Sequence, residues 1–339
     1  MEMILHDIEL PLRHTFTIAH GSSSVEHDLV VELRDGDFRG FGETATLAYY
    51  GVTLENIREA LESARKAIEQ DTVEDPAAFW ERMQPHLGHN TFALCALDQA
   101  AYDLWGKKLG SPVWKLWGLN IDQLPLSDYT IGIDTIEKMV AKMKEFPNWP
   151  IYKIKLGTDK DLEIVRALRE HTDAVLRVDA NTAWTADQTI EYSHELAKLS
   201  VEFIEQPMPA GMWEEQRRAF QHSALPLIAD ESCVVESDVD KCVGAFHGIN
   251  IKLTKAGGMT PARRMIKRAR ELDMKVMIGC MTESSVGISA IAQLLPLLDY
   301  VDMDGILLIA KDVARGVRLD QGKPIMPSEN GNGVTWLGA

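Results

Sequence analysis

No Cys-x-x-Cys pair occurs in this sequence, and its four cysteines, Cys95, Cys233, Cys242 and Cys280, show no metal-ligand spacing. That argues against a disulfide framework or a zinc site and points to a reducing, cytoplasmic setting. Neither GxGxxG nor GxxxxGK[ST] is present, so no glycine-rich loop is set up to cradle phosphates. No run approaches the roughly 18 apolar residues of a membrane span. The opening MEMILHDIEL lacks the basic flank and long apolar stretch of a signal peptide. Positive charge is in the minority, 35 Lys and Arg against 51 Asp and Glu, for a net charge of -16. Attraction to nucleic acid or to an anionic membrane is therefore not expected. What remains is a chain of 339 residues, 45% hydrophobic and 25% charged, ordinary for a globular protein. Its length suits two domains or one large α/β barrel with an addition.

The first part, residues 1–124, reads as an α+β unit. Glu2 to Leu10 and Asp28 to Asp35 alternate like strands, and FRGFGETA reads as a third. Leu54 to Gln70 has apolar residues three or four apart, and Phe92 to Leu109 is a more apolar helix stopped by Gly110 and Pro112. From about Leu126 short apolar strands alternate with amphipathic helices: LSDYTIGI, IYKIKLG, AVLRVDAN, VEFIEQP, LPLIADES, GINIKLTK, KVMIGCMT and YVDMDGI. This alternation predicts a TIM-type (β/α) barrel over residues 125–312, compact beside the roughly 250 residues typical of that fold. The tail, 313–339, is expected to pack back on the first unit.

Active sites of such barrels form at the C-terminal ends of the strands, and charged residues collect there. On three consecutive strands the first acid after the apolar run is Asp179, Glu205 and Asp230. Strand-end acids also cap helices, but three converging carboxylates need a counter-charge, and Mg²⁺ with oxygen ligands supplies one. In IYKIKLG, Lys153 and Lys155 share a strand face by the period of two. Lys252, four strands away, would approach from the opposite side of the ring. A partly desolvated lysine beside another ammonium has its pKa pushed down toward that of a useful base. Lys153 is thus expected to help keep Lys155 unprotonated. Asp302 and Asp304, also two apart, would face a cationic group well round the ring from the metal cluster.

The ordered set YKIKLG, RVDAN, IEQP, ADES, NIKLTKAGG and DMDG resembles the enolase superfamily, in its muconate-lactonizing subgroup, over nearly the whole chain. The resemblance implies a capping domain on the barrel. It also implies acid/base roles for Lys155 and Lys252, with Lys153 assisting, and metal ligation by Asp179, Glu205 and Asp230. Lys255 is the less expected base, since the family's lysine sits in the NIK position. DMDG resembles the dipeptide epimerases, in which the DxD acids bind the α-ammonium of a dipeptide.

The activity so implied is inversion at Cα of the C-terminal residue, by two-base proton transfer through a metal-stabilised ene-diolate. Substrate contacts are expected from Asp302, Asp304, Thr130, Asn181 and Cys280 on the barrel and from His20, Tyr49 and Tyr50 on cap loops Thr17–Asp28 and Ala45–Asn56. Ala-Glu epimerases resemble an arginine-bearing version of the first loop. His20 stands there instead and is a weaker partner for a glutamate side chain. Other readings are a cycloisomerase, an o-succinylbenzoate synthase or an N-acylamino acid racemase of the same superfamily, or a non-catalytic binder of a small ligand. The expected partner is a small-molecule dipeptide. Homo-oligomer formation is left open by the sequence.

Overall fold

The computed structural model describes residues 1–18 and 21–338. The chain opens with an antiparallel sheet of β1 (Glu2–Ile18), β2 (Gly21–Asp35) and β3 (Phe38–Ala45). The first two strands run further than their alternating segments predicted. Beyond an irregularity between Pro11 and Phe16, the hairpin continues with Phe16 opposite Ser23 and Ile18 opposite Gly21. This extension has no apolar-in, polar-out pattern because it leaves the sheet's own core and reaches the barrel, where Thr17 O accepts from Ile133 N at 2.9 Å.

Helix α1 (Leu54–Gln70) starts at a reciprocal Thr53/Asn56 capping box and buries Ile57, Leu61, Ala64 and Ile68. Helix α2 (Pro76–Leu87) follows, and α3 (Thr91–Lys108) is buried on nearly all sides. The sheet lies directly on α3: a β-carbon at Gly40 or Gly42 would overlap the Ala100 or Ala96 carbonyl. On its barrel side α3 meets residues 257–260, where Asp98 accepts from Thr260 N and Oγ1 at 2.8 and 2.9 Å. The sheet and these helices are here called the cap.

Eight parallel strands follow in sequence order: β4 (Tyr129–Ile131), β5 (Ile151–Lys155), β6 (Val175–Asp179), β7 (Val201–Glu205), β8 (Leu227–Ala229), β9 (Gly248–Ile251), β10 (Lys275–Gly279) and β11 (Tyr300–Asp302). A single parallel bridge, Ser127 to Val301, joins the two ends. Register stacks the inward side chains in layers. Lys153 lies opposite Arg177, Lys155 opposite Asp179, and Asp179 opposite Glu205. Arg177 fills the lower layer, paired with Asp128 at 2.9 Å and Glu202 at 2.8 Å, with its guanidinium over the Tyr300 and Phe203 rings. Lys155 and Asp179, two residues further along their strands than Lys153 and Arg177, stand at the C-terminal rim. In the tail, Ala314–Arg315 pairs with Thr335–Trp336, and Trp336 stacks on Phe41 of β3 at 5.4 Å. Among the described residues no helix is long and apolar enough to cross a membrane.

Candidate active site

A cavity of about 440 Å³ lies between the C-terminal rim and the cap. From the barrel it is lined by Thr130, Lys155, Asn181, Asp230, Glu231, Lys252, Cys280, Asp302 and Asp304, and from the cap by Phe16, Glu26, Tyr49 and Tyr50 among others. Lys153, Asp179 and Glu205 lie just beneath its floor, fully buried.

The charges form two groups, one around Lys153 and one around Asp230. Lys153 Nζ lies 2.8 Å from Glu205 Oε2, 2.9 Å from Asp302 Oδ2 and 3.2 Å from Asp179 Oδ2. Lys155 Nζ donates to Asp179 Oδ2 at 2.7 Å. Lys252 Nζ is 2.9 Å from Asp230 Oδ2, and Lys255 grips the other oxygen of Asp230 and, at 2.6 Å, its carbonyl. Asn250 Nδ2 donates to Glu205 Oε1 at 2.7 Å, while Glu205 Oε2 has only the ionic contact, without hydrogen-bond geometry. Asp304 Oδ2 accepts from Thr130 N at 2.6 Å.

Burial pushes the Lys153 ammonium toward neutrality, but Asp302, Glu205 and Asp179 outweigh it and hold its pKa well above the usual lysine value. Lys252 is likewise held up by Asp230 against its burial. Each of these two ammonium groups answers to the carboxylates it touches. One expectation needs correction: Asp302 and Asp304 are not set apart from the acids of β6 and β7. Lys153, with its long side chain, bridges both groups.

The carboxyls divide in the same way. Burial raises Asp230, yet Lys252 and Lys255 bring it below the ordinary carboxylate range, and Asp179 is lowered by Lys155 and Lys153 against its burial. Glu205 is raised by burial and by Asp179. Burial and Asp230 push Glu231 up to about 8, and burial and Asp302 push Asp304 up to about 7. Asp302 stays near 2, Lys153 overcoming its burial.

Asp179, Glu205 and Asp230 present only oxygen donors, on adjacent strands, all buried. With the under-coordinated Glu205 Oε2 among them, this donor set fits a hard divalent cation such as Mg²⁺. At the other end, Cys280 Sγ and one oxygen each of Asp302 and Asp304 lie within 4.8 Å of one another. Burial, Asp302 and Asp304 keep the Cys280 thiol protonated, so this corner favours a cation through its two acids.

Comparison with known proteins settles the lineage. Residues 1–118 match the mandelate racemase / muconate lactonizing enzyme N-terminal domain, and residues 135–338 match the enolase C-terminal domain-like family. The chain belongs to the enolase superfamily. An L-Ala-D/L-amino acid epimerase of Flavobacterium johnsoniae is 52% identical over 99% of this chain and 100% of its own. An L-Ala-D/L-Glu epimerase of Bacteroides thetaiotaomicron is 40% identical over 98% of this chain and 88% of its own. The crystal structure of a dipeptide epimerase from Cytophaga hutchinsonii, complexed with Mg and D-Ala-L-Val, superposes with a TM-score of 0.93 at 26% identity, covering 98% and 95% of the two chains.

Within this enolase-superfamily fold, most residues singled out in the sequence come together. Thr130, Lys155, Asn181, Asp230, Lys252, Cys280, Asp302, Asp304, Tyr49 and Tyr50 line one cavity. His20 lies outside the described residues. Lys255, set aside as a base, is buried and clamps Asp230. Glu26, Phe16 and Leu308 also line the cavity and were not singled out. For Phe16 and Glu26 the available signal was their place in or beside the first cap loop. Asp128, the partner of Arg177, carried no signal, since its role depends on a cross-ring contact.

Proposed function

We propose that this member of the enolase superfamily is a Mg²⁺-dependent dipeptide epimerase that inverts Cα of the C-terminal residue. The observation that carries this reading is one cavity that presents Lys155 and Lys252 together with the acid pair Asp302 and Asp304. Opposed bases serve inversion, and a buried acid pair serves an ammonium group. A cycloisomerase or N-acylamino acid racemase substrate lacks a free α-ammonium and would leave the cavity side of Asp302 and Asp304 without a cationic ligand, with Lys153 on Asp302 and the Thr130 amide on Asp304.

Asp179, Glu205 and Asp230 hold the metal, which when bound supplies fixed positive charge for the substrate carboxylate and the charge that develops there. Lys155 removes the α-proton from one face and Lys252 returns a proton to the other, with the roles exchanged in the reverse direction. Lys153 stays charged, neutralising the acids and steadying the anionic end of the substrate. Asn181, Thr130 and Cys280 line the substrate's path, and Tyr49 and Tyr50 close it from the cap, limiting water. A reducing cytoplasm suits the four free cysteines.

The test is a dipeptide library incubated in D₂O with enzyme and Mg²⁺ and read by mass spectrometry. One deuterium gained at the C-terminal residue, with formation of the other epimer, is the expected result. Exchange or turnover confined to N-acylamino acids or muconates refutes the dipeptide reading.

A further inference from the structure

Away from the lysines, three carboxyls meet where the cap joins the barrel: Asp28 of β2, Glu43 of β3 and Glu283 beyond β10. Asp28 and Glu43 are 0% exposed and Glu283 is 2% exposed. We infer that these three form a proton-sharing clasp that positions the two cavity-facing cap loops over the barrel rim, an inference that rests on that cavity being the substrate site.

The geometry begins with Glu43. It crosses from cap to barrel and accepts from Ser284 N at 2.9 Å, Ser284 Oγ at 2.6 Å and Gly287 N at 2.8 Å, so it caps the barrel helix Ser285–Ala292. Glu283 Oε2 converges on the same glycine, where a β-carbon would overlap it. Asp28 and Glu43 are diagonal neighbours on one face of the β2–β3 pair, since Asp28 lies opposite Ala45 and Val30 opposite Glu43. Both Asp28 oxygens and Glu283 Oε2 are buried with no hydrogen-bond partner among the described residues. Buried carboxylates left so are costly, and a proton shared between neighbouring carboxyls both removes a charge and supplies a hydrogen bond.

Charged groups nearby do not replace that proton. Glu26 faces Asp28 from the cap loop and adds negative charge. From α3 come the Cys95 thiol, itself pushed up, the Asp98 carboxyl beyond it, and neutral Gln99, which accepts from Glu43 N. From the end of β10 the protonated Cys280 thiol faces Glu283 and brings no positive charge, and among the described residues the ammonium acting on Glu283 is Lys252, which is engaged with Asp230. Burial and neighbouring charge push Asp28 well up and place Glu283 at about 8, while burial alone raises Glu43 against its hydrogen bonds.

Chain connectivity makes the clasp matter. The stretch Gly21–Glu26, which contributes cavity lining, runs straight into Asp28, and Ala45–Tyr50 runs straight out of Glu43. Losing the protons would place like charges side by side in a buried joint and loosen both loops at their roots. The folded state keeps protons that the unfolded chain would lose, so the clasp is intact at low pH and fails as pH rises through about 8.

The experiment compares the full-length enzyme with Glu283→Gln, which keeps the size of the side chain and cannot ionise. Infrared spectroscopy should show a protonated-carboxyl C=O band in the wild type at neutral pH, with a component that titrates near pH 8 and is missing from E283Q. The ratio of dipeptide KM, wild type over E283Q, cancels titration of the substrate and the lysines. It should be near one at pH 6.5 and about tenfold at pH 9, one unit above the Glu283 value, with the kcat ratio flat. Asp28→Asn, read by infrared in the same way, covers the case in which E283Q does not fold. Absence of any protonated-carboxyl difference, or a KM ratio flat from pH 6.5 to 9, overturns the clasp. Should no dipeptide be turned over, the infrared arm and amide exchange of residues 21–28 and 45–50 at pH 9, wild type against E283Q, decide the clasp separately from the epimerase reading.

Discussion

Replacing Lys153 with methionine tests the charge network at its hub. The ammonium is buried, 1% exposed, and touches Glu205, Asp302 and Asp179 within 3.2 Å. Methionine keeps the apolar stem and removes only the charge. Breaking a buried ion pair by removing one partner costs about 3–5 kcal/mol, because the remaining charge is left uncompensated. Unfolding entropy of about 2.1 cal/mol/K per residue amounts to roughly 0.7 kcal/mol/K for a chain of this length, so Tm should fall by about 4–7 °C in metal-free buffer.

The sign with pH follows from linkage. Without Lys153 the three carboxylates have raised folded-state pKa values, so the folded variant takes up protons ahead of the unfolded chain. Its deficit should narrow as pH falls toward 5. Excess Mg²⁺ should recover more stability in the variant than in the wild type, since a dication on Asp179 and Glu205 replaces charge that the variant lacks. Thermal unfolding followed by circular dichroism, with chelator and with Mg²⁺, measures both. A variant whose Tm matches the wild type within about a degree in chelator, at neutral pH, would refute the account of Lys153 as the counter-charge of this site.

Lys155→Ala and Lys252→Ala should each lower epimerisation by about 10²–10⁴-fold while leaving α-proton exchange on only one of the two epimers, a different one for each variant; loss of exchange on both epimers in both variants argues against two opposed bases. Asp302→Asn should raise dipeptide KM by about tenfold or more, as expected for a charged hydrogen bond worth about 1.5–3 kcal/mol, with a smaller penalty for an N-acetylated dipeptide as competing ligand. Asp98, pushed up to about 7 by burial despite its bonds to Thr260, holds its proton when folded and loses it when unfolded. Its stabilising share is present at acid pH and lost as pH rises through about 7, so Asp98→Asn should flatten the pH dependence of Tm below that point.

The strand pattern was readable because most barrel strands are short apolar runs ended by a charged residue at the same rim. For the same reason Lys155, Asp179, Glu205, Asp230 and Lys252 could be placed at that rim from their positions alone. Period two put Lys153 and Lys155 on one face, and the register of β5 with β6 has both pointing inward. What a linear pattern does not carry is how far a long side chain reaches across the ring. The contact of Lys153 with Asp302 was therefore invisible, and with it one of the carboxylates that hold its charge. Glu283 lies four residues past the end of β10 and converges with Glu43 of the cap on Gly287, a placement its position in the chain does not show. The extension of β1 and β2 was missed because its residues answer to the barrel rather than to their own sheet.

Asp304 accepts a hydrogen bond from the Thr130 amide across the seam where the first and last barrel strands meet, a seam with one backbone bridge. A side chain thus stands in for a rung of the ladder, and that side chain faces the substrate cavity. Under the role proposed for Asp304, selectivity for the amino end of a ligand and mechanical closure of the ring are vested in one carboxyl. Variants that retune recognition at this position will carry a folding defect with them, and laboratory evolution toward new amino-terminal groups should acquire compensating changes along β4 and β11 before it acquires new chemistry.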